Sequence, residues 1–276
     1  MARITVRDLL SLPWDTVIDV VAGFIKSYAD EHGAGRLIVG LSGGVDSAVV
    51  LKTVVEAAGA ARALALILPD TRVTPAGDVE DAVRLAEDLG VEYIVIPIDR
   101  VVDSYSVIPG FTLSDKLPVG NLRARIRMTI LYYYANKLNG LVVGAGDRSE
   151  LLLGYFTKHG DGGVDIQPLA CLYKTQVREL ARRIGIPDAI TSKPSSPRLW
   201  EGQLAEEELG LSYEAVDLVF YSLIDRGLSL EEAVEATGLP LTVFQRVLDL
   251  HRRSRHKRSI PPMPRLPWLP EPIREI

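Results

Sequence analysis

The stretch that decides the fold is Leu37-Ile38-Val39-Gly40-Leu41-Ser42-Gly43-Gly44-Val45-Asp46-Ser47-Ala48-Val49-Val50-Leu51. It opens on a short, continuously apolar run with β-branched members, the pattern of a strand covered on both faces. It closes on an apolar run of helical character that continues to Gly59. Between the two lies a glycine-rich turn. Gly43 and Gly44 permit positive φ and let backbone N–H groups approach an anion closely, while the following helix adds the positive end of its dipole. Ser42 and Ser47 add hydroxyl donors. No Gly-Lys-Ser/Thr closes the loop, so it is not a Walker loop, and the G-x-G-x-x-G spacing of the dinucleotide fingerprint is absent. The bland alternative, a strand-to-helix turn with no ligand, leaves both serines and Asp46 unexplained.

The same alternation repeats downstream. An apolar run at Ala63 to Leu68 precedes a helical pattern through Val79, Ala82, Val83, Leu85 and Ala86 that ends near Gly90. A run at Tyr93 to Ile96, a helix over about Asn121 to Leu138, and the run Leu141-Val142-Val143 follow, the last leading into Gly144-Ala145-Gly146-Asp147. Apolar strands separated by helices imply a parallel sheet with helices on both faces, and hence a doubly wound α/β fold of Rossmann type. In such sheets ligands collect beyond the carboxyl ends of the strands. The loops after Val39 and Val143 are therefore the places to look.

Outside this core, Asp15 to Glu31 reads as an amphipathic helix capped by Asp15 and stopped by Gly33. Beyond about Leu211 the pattern is helical at Tyr213 to Ile224, Leu230 to Ala236 and Val243 to Leu250, before a proline-rich end, Ile260 to Glu271, expected to be extended. With no repeat or low-complexity linker, residues 1–276 are expected to form a single domain. It comprises an N-terminal helix (1–33), a nucleotide-binding core (34–200) and a helical C-terminal region with a tail (201–276).

Composition narrows the class. The chain has 276 residues, 47% of them hydrophobic, enough to bury a large core. Its longest apolar runs fall far short of the roughly 20 residues needed to cross a bilayer, and the acidic residues Asp8, Asp15 and Asp19 interrupt any secretory pattern, so a cytoplasmic location is expected. A net charge of −5 argues against nucleic acid as a partner. The basic run His251 to Arg258 is compatible with a nucleic-acid patch, a substrate phosphate, a partner subunit or a solvated helix end. The single cysteine, Cys171, has no partner for an internal disulfide and is read as a small buried apolar residue. The run Tyr132-Tyr133-Tyr134 suits packing at a core or subunit interface.

Phosphates need a counter-charge, and Mg²⁺ takes one or two carboxylates plus phosphate oxygens. Asp46 is one candidate ligand. Glu150, in the other strand-end loop, is the second, with a solvated first-turn glutamate as its plain alternative.

The segment Gly40 to Ser47 resembles the pyrophosphate-binding loop S-G-G-x-D-S of the N-type ATP pyrophosphatases, whose fold is adenine nucleotide alpha hydrolase-like. The segment Gly144 to Asp165 is similar to the central signature of ammonia-dependent NAD synthetases. Gly120 to Met128 resembles that family's G-N-x-x-A-R-x-R-M helix, Leu172 to Arg178 its ATP-binding lysine stretch, Lys193 to Ser196 a nucleotide-contacting loop, and His256-Lys257-Arg258 its C-terminal motif.

This resemblance implies ATP contacts from Gly40, Leu41, Ser42, Gly43, Gly44, Val45, Asp46, Ser47, Ala145, Lys174 and Ser196. It implies Mg²⁺ on Asp46 and Glu150, and substrate contacts from Arg125, Lys158, Asp165, His256 and Lys257. Two departures stand out: Ala145 replaces a usual hydroxyl residue, and Leu204-Ala205 replaces a usual Thr-Asp.

The implied reaction activates the carboxylate of nicotinic acid adenine dinucleotide (deamido-NAD) as an acyl-adenylate, releasing pyrophosphate. Ammonia then displaces AMP to give NAD. Asp46 and Lys174 would stabilise the leaving pyrophosphate, and Asp165 is the candidate base for ammonium. Neither the length nor Cys171 provides a glutamine amidotransferase domain, so ammonia is the expected nitrogen donor, with a separate glutaminase chain left open. A homodimer is also implied. The rivals are another ATP pyrophosphatase, GMP-synthetase-like or tRNA-modifying, and a non-catalytic adenine-nucleotide sensor. The loops around Lys158 and Ser196, rich in glycine or proline, are expected to move before ligands bind.

Overall fold

Four parallel strands organise the computed structural model, which describes residues 3–264 and 267–268. They are β1 (Arg36–Gly40), β2 (Ala63–Ile67), β3 (Glu92–Val95) and β4 (Gly140–Val143), arranged in the order β3-β2-β1-β4. The register sets Val39 beside Ala65 on one side and Val143 on the other. The chain runs outward from β1 to β3, then returns to place β4 on the opposite flank of β1. The point between β1 and β4 is thus the switch where a doubly wound sheet opens a crevice.

Side chains alternate across the sheet as strand geometry requires. Leu37, Val39, Ala65 and Ile67 pack on one face, with Val50 and Ile25 from the helices above them. Ile38, Leu64, Leu66 and Val142 pack on the other, against Ile126 and Ala135. A one-turn helix α1 (Val6–Leu9) precedes α2 (Trp14–Glu31), and α2 lies with α3 (Val45–Ala58) on the first face. Then come α4 (Ala76–Asp88) and the short α5 (Asp99–Ser104), and α6 (Lys116–Lys137) covers the second face. β3, at one edge of the sheet, is half-exposed, whereas β4 at the other edge is buried at its carboxyl end.

Beyond β4 the chain is helical: α7 (Arg148–Leu153), α8 (Lys174–Arg183), α9 (Asp188–Thr191), α10 (Ala205–Leu209), α11 (Tyr213–Phe220), α12 (Leu230–Thr237) and α13 (Leu241–Arg253). Tyr213, Val216, Phe220, Phe244 and Val247 form a separate apolar cluster there, joined by Leu9 from the N-terminal turn and by Leu153 and Tyr173. No helix among the described residues is long and apolar enough to cross a membrane.

Several boundaries differ from the sequence expectation. α6 starts at Lys116, five residues early, because Pro118 falls in its first turn, where a missing N–H is harmless. α2 is preceded by Pro13, and Asp15 sits in its first turn instead of capping it. The helix expected to run to Ile224 stops at Phe220 and continues as a π-helical turn, Tyr221–Asp225. Cys171 is exposed, which corrects its reading as a buried apolar residue; its thiol points at Pro168 O at 3.6 Å. Residues 260–264 take no regular structure, and most of the remaining tail to Glu271 lies outside the described residues.

A buried ion pair fastens the second face. Arg123 of α6 donates through Nε to Asp70 Oδ2 at 2.7 Å, and Arg72 donates to Asp70 Oδ1 at 2.7 Å. Asp70 is fully buried and Arg123 nearly so. Removing one partner of such a pair strands a buried charge, so Asp70→Ala is expected to destabilise the fold by about 3–5 kcal/mol, read by urea unfolding. A change below about 1 kcal/mol would mean the pair is solvated.

Candidate active site

The loop leaving β1 is braced by its own serines. Ser47 Oγ donates to Gly44 O at 3.0 Å and accepts from the Ser42 N–H at 3.1 Å. Ser47 is therefore an internal strut, unlike the free donor expected from sequence, whereas Ser42 is exposed. Gly43 takes φ +78°, and a Cβ there would stand 2.1 Å from Asp78 O in the first turn of α4. No side chain caps α3, so its first N–H groups remain available to an anion.

The adjacent tip of β4 carries the acidic half of the site. Asp147 caps α7, its Oδ1 accepting the Glu150 N–H at 2.8 Å. Lys174, the first residue of α8, is fully buried and extends its ammonium into a ring of three carboxylates. Asp147 Oδ2 stands at 2.7 Å, Glu150 Oε1 at 2.8 Å and Asp46 Oδ1 at 2.9 Å. The Tyr213 ring lies against the same ammonium, 5.2 Å from Nζ. Burial alone would lower the Lys174 pKa, but the three carboxylates override it and hold the ammonium well above its usual value. Burial, reinforced by Asp147 and Asp46 against the pull of Lys174, raises Glu150. One ammonium among three carboxylates leaves an excess of two negative charges when all are ionised.

That excess bears on the metal. Asp46 and Glu150 meet the same Lys174 ammonium from two strand tips, and they are oxygen donors of the kind Mg²⁺ prefers. Among the described residues no cluster of three or more His, Cys, Asp or Glu forms a metal cage of its own. A divalent ion completed by phosphate oxygens fits such a two-carboxylate site, because Mg²⁺ is usually held jointly by protein and substrate.

A cleft of about 380 Å³ opens over these tips, and its walls include residues 40–47, Ala145, Glu150, Ser196 and Lys257. Arg127 lines it too, with Nε on Leu68 O at 2.9 Å; burial pulls this guanidinium down to about 10, still cationic at neutral pH. The loop 193–200 forms one wall and is tied back to α4. Lys193 Nζ meets Asp78 at 2.8 Å and Asp81 at 2.7 Å, Arg198 Nε meets Asp78 at 2.9 Å, and Lys193 also donates to Gly43 O at 3.0 Å. Ser196 Oγ donates to Gln203 O at 2.5 Å.

Arg125, Lys158, Asp165 and His256 sit off the cleft walls. Arg125 is exposed and donates to Lys158 O at 3.3 Å, and Lys158 Nζ donates to His256 O at 3.0 Å. These three form one chain of contacts. Lys257 lines the cleft, but its ammonium donates to Gly154 O and Phe156 O at 2.7 and 2.6 Å, and Arg258 donates to Leu151 O and Leu152 O at 3.0 Å. Two members of the basic run thus hold the end of α7. Asp165 accepts from Tyr132 OH at 3.0 Å and from the Val142 N–H at 2.7 Å, so both its oxygens are engaged by the fold.

Sequence reasoning missed Asp147, Asp78 and Arg127. Asp147 carried a signal, a helix-capping position three residues before Glu150, but one that reads equally as structure.

A Rossmann-like parallel sheet with a diglycine anion loop at β1 and carboxylates at β4 defines a PP-loop nucleotide-binding protein. The NAD synthase family model matches residues 17–261. The chain is 54% identical over 273 residues to an NH(3)-dependent NAD(+) synthetase of Staphylothermus marinus, covering 99% of each protein. It is 56% identical to one of Hyperthermus butylicus, covering 95% of each. Among solved structures it resembles an NMN synthetase from Francisella tularensis (TM-score 0.82, 32% identity, 93% of this chain and 100% of that one). It also resembles an NH3-dependent NAD synthetase from Campylobacter jejuni in complex with nitrate (TM-score 0.78, 27% identity, 92% and 100%). The chain belongs to the NAD synthase family.

Gly43→Ala tests the cradle. Left-handed backbone costs a residue with a Cβ about 1–2 kcal/mol, and the clash with Asp78 O adds to it. Affinity for a non-hydrolysable ATP analogue, read by calorimetry, should fall by at least about tenfold; unchanged affinity would place the nucleotide elsewhere.

Proposed function

We propose that the chain catalyses the ATP-dependent amidation of deamido-NAD to NAD with ammonia, releasing AMP and pyrophosphate. The observation that carries the reading is the convergence of Asp46, Glu150 and Lys174 beside the diglycine loop. Named relatives matched over nearly their whole length support ammonia as the nitrogen donor.

The substrate carboxylate attacks the α-phosphorus of ATP and pyrophosphate leaves. Backbone N–H groups of residues 43 and 45–47, the α3 dipole and the Lys174 ammonium meet charge where it builds up on the leaving group, the dominant form of catalysis in phosphoryl transfer. Arg127, Lys193 and Arg198 extend the cationic wall of the cleft. Asp46 and Glu150 would hold Mg²⁺, which supplies charge neutralisation at the phosphates. Ammonia then attacks the acyl-adenylate and AMP departs, so no protein nucleophile is required. Arg125, Lys158, His256 and Lys257 are assigned to the dinucleotide. Asp165 is assigned as the base for ammonium, a role that requires it to exchange its Tyr132 contact.

We assign residues 1–276 to one catalytic unit, supported by the ring of Tyr213, from the C-terminal region, against the Lys174 ammonium. A homodimer fits the apolar side chains left exposed at Val107, Leu117 and Tyr133. A cytoplasmic location fits the supply of ATP and dinucleotide.

The likeness to an NMN synthetase makes nicotinic acid mononucleotide the competing acceptor. Incubating protein, Mg-ATP and ammonium with either acid separates the readings. NAD, AMP and pyrophosphate should form with the dinucleotide, and preference for the mononucleotide would reassign the substrate. Glu150→Gln should lower turnover at least about 100-fold, in line with losing a transition-state charge contact; wild-type turnover would remove Glu150 from the site. Asp165→Asn is expected to spare ATP–pyrophosphate exchange while slowing NAD formation. Equal loss of both half-reactions would rule it out as the base.

A further inference from the structure

Beneath the Lys174 cluster lies a second layer of polar groups that the reaction as described does not use. Asp217, in the middle of α11, is fully buried. Its Oδ1 accepts the Ser149 hydroxyl at 2.5 Å and its Oδ2 accepts the Thr175 N–H at 2.9 Å. Ser149 Oγ in turn accepts the Lys174 N–H at 2.9 Å. One carboxyl group therefore holds, directly or through a single hydroxyl, the backbone N–H groups of the first two residues of α8. It also holds the side chain of the residue preceding Glu150. One turn earlier on the same helix, Tyr213 sets its ring against the Lys174 ammonium.

A carboxyl buried to this degree is normally answered by a cation, yet the bonds to Asp217 come from a hydroxyl and a backbone amide. Burial accordingly pushes it up to about 7, against the pull of Ser149 and Thr175. A simple tie between the helical layer and the sheet could be made by apolar packing at no such expense. Groups that break the local rules in this way concentrate where function fixes geometry.

We infer that Asp217 is a positioning residue for pyrophosphate departure, holding Lys174 and Glu150 in register with the diglycine loop through Ser149 and the α8 N-terminus. The inference rests on the reaction proposed above. It makes α11 the floor of the active site, so that the C-terminal region sets the distance between the ammonium and the metal-binding carboxylate.

Asp217→Asn keeps the size of the side chain but offers one carbonyl acceptor, so the two arms can no longer both end on a carboxylate oxygen and the Ser149 arm must reverse, the amide donating to Ser149 Oγ. Ser149→Ala breaks only the hydroxyl arm. For both variants, steady-state kinetics, thermal melting and electron paramagnetic titration of Mn²⁺ in the presence of a non-hydrolysable ATP analogue are measured. Both should melt cooperatively, lose about tenfold or more in kcat and bind Mn²⁺ about tenfold more weakly, with the KM for deamido-NAD within about twofold of wild type, the signature of a lost transition-state contact. Folded variants with wild-type kcat and Mn²⁺ affinity would overturn the inference. So would a loss of kcat matched by an equal loss of dinucleotide affinity, which marks general loosening. If Asp217→Asn does not fold, Ser149→Ala decides. If the wild type forms no NAD from deamido-NAD, the proposed reaction fails instead, while the Mn²⁺ titration still reads the positioning.

Discussion

The architecture depends on one ammonium group. Lys174 is fully buried, and a buried lysine is tolerable only if anions surround it. The three carboxylates that do so come from two strand tips: Asp46 from the first turn of α3, after β1, and Asp147 and Glu150 from the N-cap and first turn of α7, after β4. Their meeting point exists only because β1 and β4 are neighbours. The strand order and the charge cluster are thus a single constraint, since any other placement of β4 would leave Lys174 buried without its partners.

Within the cluster the three acids do different work. Asp147 is completely enclosed and uses its second oxygen to cap α7, so it is committed to the fold. Asp46 and Glu150 retain exposure of about a fifth of their side chains, which lets a ligand in the cleft reach them. The division follows from burial: the carboxylate that cannot see solvent anchors the ammonium, and the two that can are free to accept an incoming cation as well.

Much of this was legible in the sequence because it is local. Gly43, Gly44 and Asp46 sit within a few residues of each other between a strand and a helix, and the apolar runs of β1, β2 and β4 are short, uninterrupted and bounded by turns. What escaped is non-local. Ser47 reads as a phosphate donor until its hydroxyl is seen to donate to Gly44 O. Lys257 and Arg258 read as a basic run with several candidate partners, a substrate phosphate among them, and only the fold shows them on the carbonyls at the end of α7, about a hundred residues away in the chain. Asp217 lies in a helix whose apolar spacing conceals it, and its partners Ser149 and Thr175 are more than forty residues distant. Cys171 shows the reverse failure, because composition favours burial for cysteine and only the fold reveals that its turn faces solvent.

The cations of the cleft share one further property. Lys193 and Arg198 are both held by Asp78, Arg127 by Leu68 O and Lys257 by two backbone carbonyls. Each is therefore parked on a protein acceptor before any anion arrives, and a phosphate must compete with that acceptor for it. The competition weakens binding of the ground state. It also means that few side chains need to be ordered when the ligand enters, because their rotamers are already fixed by the fold. An arrangement of this kind favours charge that develops during the reaction over charge already present, since the donors stand in place and the reorganisation that water would require has been built into the structure.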